Sequence, residues 1–210
     1  MVESVVKYYV LCNKLKDVIR TGWKDWNVTK DRVESVAEHI FGVQMLAIAM
    51  HSQYKYNLDL NKIILMLAIH ELEEIVIGDL TCFQVTEAEK AELGHKAIEE
   101  VLSGILAKEE LKNLILEFDE RKTGEAIFVY HCDKLECDLQ CKLYDEGAYV
   151  DMNNQDNNNT YHDKNVQDII ARGETTWSGM WLEHDKSKFI DDPNFLEVWE
   201  YTKNNKITIK

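Results

Sequence analysis

A single proline and nine glycines among 210 residues leave too little punctuation for a fold of many strands, because each tight turn between strands draws on those residues for its backbone geometry. Apolar positions instead recur at steps of three and four, the spacing that lines up one face of a helix. Val6, Tyr9, Val10 and Leu15 mark a first helix. A second is expected from about Glu34 to Gln53, carrying Val36, Ile40, Val43, Met45, Ala47 and Met50. A third follows Asp59 as N-cap and runs to about Ile77. Thr86 and Glu89 form a capping-box pattern that opens a fourth. Leu111 to Glu120, Glu125 to Tyr144, Asn165 to about Leu182, and Asn194 to Thr202 complete the set.

The expectation is an all-α bundle of about seven or eight helices. The chain is read as one domain spanning 1–210, with its C-terminal helices at 165–203. Ile63 to Ile69 is apolar throughout, which places the third helix at the centre. Asn153 to Asn159, NNQDNNN, reads as a surface loop or disordered insertion, and the stretch after Thr202 as a short strand or loose tail.

At 45% hydrophobic residues the chain can bury a core without disulfide staples. Its five cysteines, Cys12, Cys82, Cys132, Cys137 and Cys141, form no CxxC pair and read as reduced thiols of a cytoplasmic protein. The first twenty residues intersperse charges at helical spacing, unlike a signal peptide, and no apolar run reaches the roughly 20 residues of a membrane span. With 38 acidic and 24 basic residues the formal charge is −14, and no basic patch suited to a nucleic-acid polymer is present. An acidic chain can still bind a small phosphate compound through a local positive centre, for which a divalent metal is suited.

Three segments carry chemistry. Glu38 and His39 stand near the start of the second helix. His70 and Glu71 end the apolar stretch of the third and are followed by Glu73, Glu74 and Asp79. Asp133 lies early in the long helix from Glu125. An imidazole directly after seven apolar residues loses its hydrogen bonds to water, and carboxylates gathered there are costly unless a cation neutralises them. A divalent ion between two imidazoles and two carboxylates resolves that conflict, and the ligand set suits Mn, Co, Fe, Ni or Zn. Singly, a helical His is more often structural, and acids after a helix more often face solvent. The order across three helices is what points to a metal.

That order, His39, then His70-Glu71, then Asp133, resembles the HD-domain metal-dependent phosphohydrolases. RVESVAEH, HELEEIVIGDL and DKLECDLQCKLYDE resemble the branch containing the bacterial 5′-deoxynucleotidases, over roughly Arg20 to Asp151. The resemblance implies a compact HD-domain helical bundle, often a homodimer, with one divalent metal held by His39, His70, Glu71 and Asp133. It implies hydrolysis of (deoxy)nucleoside 5′-monophosphates, with Glu74 and Asp79 orienting water and moving protons as general acid and base. Glu74, four residues past His70, would share its face on a continuing helix, while Glu73 would face solvent. Arg20 and Trp23, in RTGW, match the segment that contacts substrate. Lys134 points about 100° away from Asp133 on a helix, and Trp177, Trp181 and Trp199 read as core or interface.

The chain departs from the family pattern at Glu71, where the His-Asp doublet has an aspartate. A cyclic nucleotide or an alarmone is the alternative substrate, and a catalytically degenerate nucleotide-binding HD protein is the alternative of another class.

Overall fold

In the computed structural model, which describes residues 1–81 and 84–209 with the side chain of Glu87 excepted, every named element is helical. The described residues form two compact units. Unit 1 comprises Met1–Thr21 and Glu34–Tyr130, and unit 2 comprises Gly22–Val33 and His131–Lys210. Cys82 lies outside the described residues; Cys12, Cys132, Cys137 and Cys141 form no disulfide among the described residues. Among the described residues no helix is long and apolar enough to cross a membrane.

Unit 1 contains α1 (Val2–Asn13), the first residue of α2 (Thr21–Asp25), α3 (Val36–Tyr54), α4 (Leu60–Ile69), α5 (Glu74–Ile77), α6 (Glu87–Val101) and α7 (Lys108–Glu120). It also holds α8 (Gly124–Glu146) as far as Tyr130. The capping signals account for where these helices start. Ser35 and Glu38 form a full capping box at α3, Ser35 Oγ accepting from the Glu38 amide and the Glu38 carboxylate from the Ser35 amide at 2.9 Å. Thr86 and Glu89 do the same for α6, as their spacing predicts. Asp59 caps α4 by accepting from the amides of Asn61 and Lys62. Each cap is worth about 0.5–2 kcal/mol.

The apolar run of α4 behaves as expected. Ile63, Met66, Leu67 and Ile69 are buried, and α4 packs on α3, where Gln44 donates to the Ile64 carbonyl at 3.2 Å. Burying each such side chain contributes about 1.5–3 kcal/mol. Leu15, Val36, Ile69, Leu72, Ile98, Val101, Leu102 and Ile115 form the adjoining core.

The third predicted helix does not run on to Ile77. α4 stops at Ile69, and His70–Glu73 is a turn held by bonds three residues apart, Leu72 to Ile69 at 3.2 Å and Glu74 to Glu71 at 3.2 Å. α5 then ends at Gly78, whose φ of 72° lies in the region glycine adopts without strain.

Unit 2 holds the rest of α8, α9 (Lys164–Ala171), α10 (Trp177–Asp185) and α11 (Pro193–Asn204). The single helix expected from Asn165 to Leu182 is divided, because Thr176 caps a new start by accepting from the Gly179 amide at 3.1 Å. Trp23, Trp26, Tyr144, Val166, Ile169, Trp177 and Met180 form its core, with Trp181 packed against them. Trp199 is buried and donates to the Leu182 carbonyl at 2.8 Å. The helix count therefore exceeds the prediction, chiefly because two predicted helices are each broken in two.

The Asn-rich segment departs from a plain surface loop. Gln155 and Asn158 are buried, Gln155 donating to the carbonyls of Trp26 and Asp151 and receiving a bond from Asn158 at 2.8 Å. After α11 the chain takes no regular form, and the Ile207 and Thr208 amides donate to the Glu146 carboxylate. Lys210 lies outside the described residues.

Candidate metal centre

The capping box of α3 leaves His39 as the next residue, one turn into the helix and fully buried. His70 caps the C-terminus of α4, 3% exposed, with its ring edge-on to Phe118. His70 Nδ1 lies 2.8 Å from the Leu67 carbonyl. A carbonyl only accepts, so Nδ1 carries the proton and Nε2 presents its lone pair. That nitrogen is 3.8 Å from Glu71 Oε1, and His39 Nε2 is 4.0 Å from the same oxygen. The extra methylene of Glu71 therefore does not carry its carboxylate away from the imidazoles.

Donors held at about 2.1 Å from one ion stand up to about 4.2 Å apart, so the separation of each imidazole from Glu71 suits a shared divalent cation. The donor set of imidazole nitrogens and a carboxylate oxygen suits borderline metals.

Arg20 is brought here by backbone pairing. The Val36 amide donates to Val18 at 2.8 Å and the Arg20 amide to Glu34 at 3.1 Å, an antiparallel bridge at Ile19 and Ser35. Its guanidinium then reaches Glu71 Oε1 at 3.4 Å. Thr21 secures Asp79, its amide donating to Asp79 Oδ2 and its hydroxyl to the Asp79 carbonyl, each at 2.6 Å.

The broken helix changes how the acids align. The Glu74 amide bonds to the Glu71 carbonyl, so the continuous helix on which Glu74 would share the face of His70 is interrupted between them. Glu74 is 1% exposed, and burial, then the charges of Glu71 and Asp79, push its proton affinity well up. Glu73 does not face solvent freely. It lies against α6 where Gly94 provides room, since a Cβ there would stand 3.3 Å from Glu73 Cγ. Burial, then the charge of Glu71, pushes its carboxyl up to about 8.

Asp133, in unit 2, is 3% exposed on α8. Lys134, expected to point about 100° away from Asp133 on the helix, reaches Asp133 Oδ2 at 2.9 Å through its long side chain. His131 packs against Phe189 and Phe195. Trp23 is 2% exposed, with Tyr144, Trp177 and Trp181 around its ring at centroid distances of 5.4, 6.0 and 5.0 Å. The structure gives Trp23 a place in the aromatic core, not a face open to a base or sugar.

Sequence reasoning missed one residue at these acids. Lys90, on the first turns of α6, reaches Glu74 Oε1 at 3.4 Å and the Leu80 carbonyl at 3.1 Å. Its helical position announces no such partner, because the contact depends on how α6 packs on α5.

An HD-domain family model matches residues 12–173 of the sequence. The chain belongs to the HD-domain family. Among curated relatives, a 5′-deoxynucleotidase of Dictyostelium discoideum is 33% identical over 153 residues, 69% of this chain and 79% of that protein. A 5′-deoxynucleotidase of Xenopus laevis is 29% identical, covering 80% of this HD-domain chain and 86% of its own length. Among solved structures, a conserved hypothetical protein of Pyrococcus furiosus superposes with a TM-score of 0.67 at 22% identity, over 95% of this chain and 99% of that one. A protein of Magnetospirillum magnetotacticum described as a metal-dependent phosphohydrolase does so at 0.61 and 18%, covering 96% of each. These two likenesses speak for the fold alone.

Proposed function

We propose that the chain is a metal-dependent phosphohydrolase that releases phosphate from (deoxy)nucleoside 5′-monophosphates. The observation that carries this reading is the meeting of His39 Nε2, His70 Nε2 and Glu71 Oε1 at the family's doublet, with the His70 tautomer set by Leu67. The names of the relatives at 33% and 29% identity supply the substrate class.

The proposed centre takes one donor atom each from His39, His70 and Glu71, with Asp133 as the fourth ligand that the family order implies. A divalent ion bound there would polarise a phosphate oxygen and acidify the attacking water. Arg20, beside Glu71, is the group proposed to grip the phosphate, a task for which a guanidinium is shaped. Glu74, buried and avid for a proton, is proposed to protonate the leaving 5′ oxygen. Asp79, fastened by Thr21, is proposed to orient the water. Trp23 has no part in this scheme. The reading also takes the chain as a cytoplasmic homodimer, which the unbridged cysteines among the described residues suit and sedimentation would measure.

The test combines metal analysis with phosphate release from ribo- and deoxyribonucleoside monophosphates in Mn, Co, Fe, Ni or Zn. About one divalent ion per chain and turnover of deoxynucleotides are expected. Nucleotide binding without turnover in any of these metals would overturn the enzymatic reading. Glu71→Asp should keep the metal and Glu71→Ala should release it, and full occupancy after the change to alanine would remove Glu71 from the ligand set.

A further inference from the structure

Lysine near a helix N-terminus opposes the helix dipole, an unfavourable arrangement on its own. Lys90 occupies such a place in α6, four residues beyond the Thr86 cap, with its amide bonded to the Thr86 carbonyl at 2.9 Å. Its ammonium does not turn out to water. The side chain is 34% exposed and runs to Glu74 Oε1 at 3.4 Å, a carboxylate whose own side chain is 1% exposed. The same nitrogen donates to the Leu80 carbonyl at 3.1 Å. Burial works against its charge, yet the carboxylates of Glu71, Glu74, Asp79 and Glu73 together hold its proton affinity above the usual value.

Leu80 directly follows Asp79, so one ammonium ties down both acids of the site: Glu74 through its carboxylate, and Asp79 through the next carbonyl. From the other side Thr21 fastens Asp79 by its amide and hydroxyl. Between these clamps the segment turns at Gly78, whose φ of 72° gives the backbone a bend that hydrogen bonds must then hold. The Thr86–Glu89 box fixes where α6 begins, and hence the direction from which Lys90 arrives.

We propose that Lys90 is the positioning residue of the Glu74–Asp79 pair, holding the Glu74 carboxylate and the Gly78–Leu80 bend in the arrangement that proton transfer requires. The proposal rests on the phosphohydrolase reading for its kinetic consequences, but not for its structural ones. An ammonium suits both partners, because one bond to a carboxyl oxygen and a second to a carbonyl use two of its three hydrogens.

Three forms of the full chain test this: wild type, Lys90→Met and Lys90→Arg, each assayed for metal content, phosphate release from deoxynucleoside monophosphates, and amide hydrogen exchange over residues 74–81. Lys90→Met is expected to lower kcat about 10–100-fold, the range for a supporting group, with KM and metal content unchanged. Exchange over 74–81 should quicken several-fold. Lys90→Arg keeps the charge and two donors, so it should recover both rate and protection in part. A rise in KM at constant kcat would make Lys90 a phosphate contact and overturn the proposal. Loss of metal would assign it to Glu71, and unchanged exchange with unchanged kcat would leave it no role. If the wild type proves inert, the function reading falls, while the exchange comparison still decides for or against Lys90.

Discussion

In unit 1 the turn after α4 gathers Glu71, Glu73, Glu74 and Asp79 beside two buried imidazoles, with Arg20 on Glu71 and Lys90 on Glu74. In unit 2 two other carboxylates are equally hidden, Asp138 fully and Asp185 at 3% exposure. Asp185 accepts from His184 at 2.7 Å and Lys188 at 2.6 Å, which hold its carboxyl below the usual range despite burial. Asp138 has no hydrogen-bond partner on either oxygen among the described residues, and burial, then the charge of Asp185, raises its proton affinity well above the usual carboxylate value. Asp138 and Asp185 of unit 2 thus meet burial without imidazoles aimed at them from across a turn, one by pairing with cations and the other by a raised proton affinity. Unit 1 instead leaves acids in excess and aims imidazole nitrogens at one of them, which is what a cation site requires. Burial of acids alone therefore does not mark a metal centre; the company of the imidazoles does.

The largest expected effect tests the unit 1 side. His70→Ala should remove the metal and cut phosphate release by more than about 100-fold, exceeding what a supporting group costs. Metal analysis checks it, and full occupancy would erase the distinction between the units. Next, Asp185→Ala strands Lys188 beside Asp138 and should cost about 3–5 kcal/mol in urea unfolding, with metal content intact. A cost under about 1 kcal/mol would mean that unit 2 does not depend on that pair.

Asp138→Asn sharpens the comparison through pH. A carboxyl with a raised folded pKa holds its proton while the unfolded chain releases one, so stability falls as pH rises above the unfolded value of about 4. That slope is at most about 1.4 kcal/mol per pH unit. The variant should lack it, and so gain on the wild type in denaturation between pH 5 and 8, the pH range being roughly where folded proteins remain stable. Parallel stability curves would mean that Asp138 is ionised. Smallest, Ser35→Ala removes the cap of the helix that carries His39 and should cost about 1 kcal/mol, read as a lowered melting midpoint with metal bound.

Much of unit 1 was legible before folding. The Asp59 cap, the Thr86–Glu89 box and the apolar run of α4 all act through neighbours in sequence, and all stand where predicted. The break at His70–Glu73 was not legible, because helix periodicity continues across it and only the three-residue bonds of the turn interrupt the helix before Glu74. Glu73 looked solvent-facing until α6 packed on it at Gly94. Polar composition likewise concealed Asn158 and Gln155, which bury themselves by bonding to each other and to Trp26.

By itself the sequence determined the helical class and the starts of α4 and α6, and it proposed which imidazoles and carboxylates could serve a metal. These follow from periodicity and from side chains that bond to their own backbone a few residues away. Only the tertiary structure decided that Lys90 holds Glu74, that Thr21 and Arg20 reach Asp79 and Glu71, and that Trp23 belongs to a core. The choice of a partner 16, 58 or 51 residues distant depends on how helices pack, which no local rule contains.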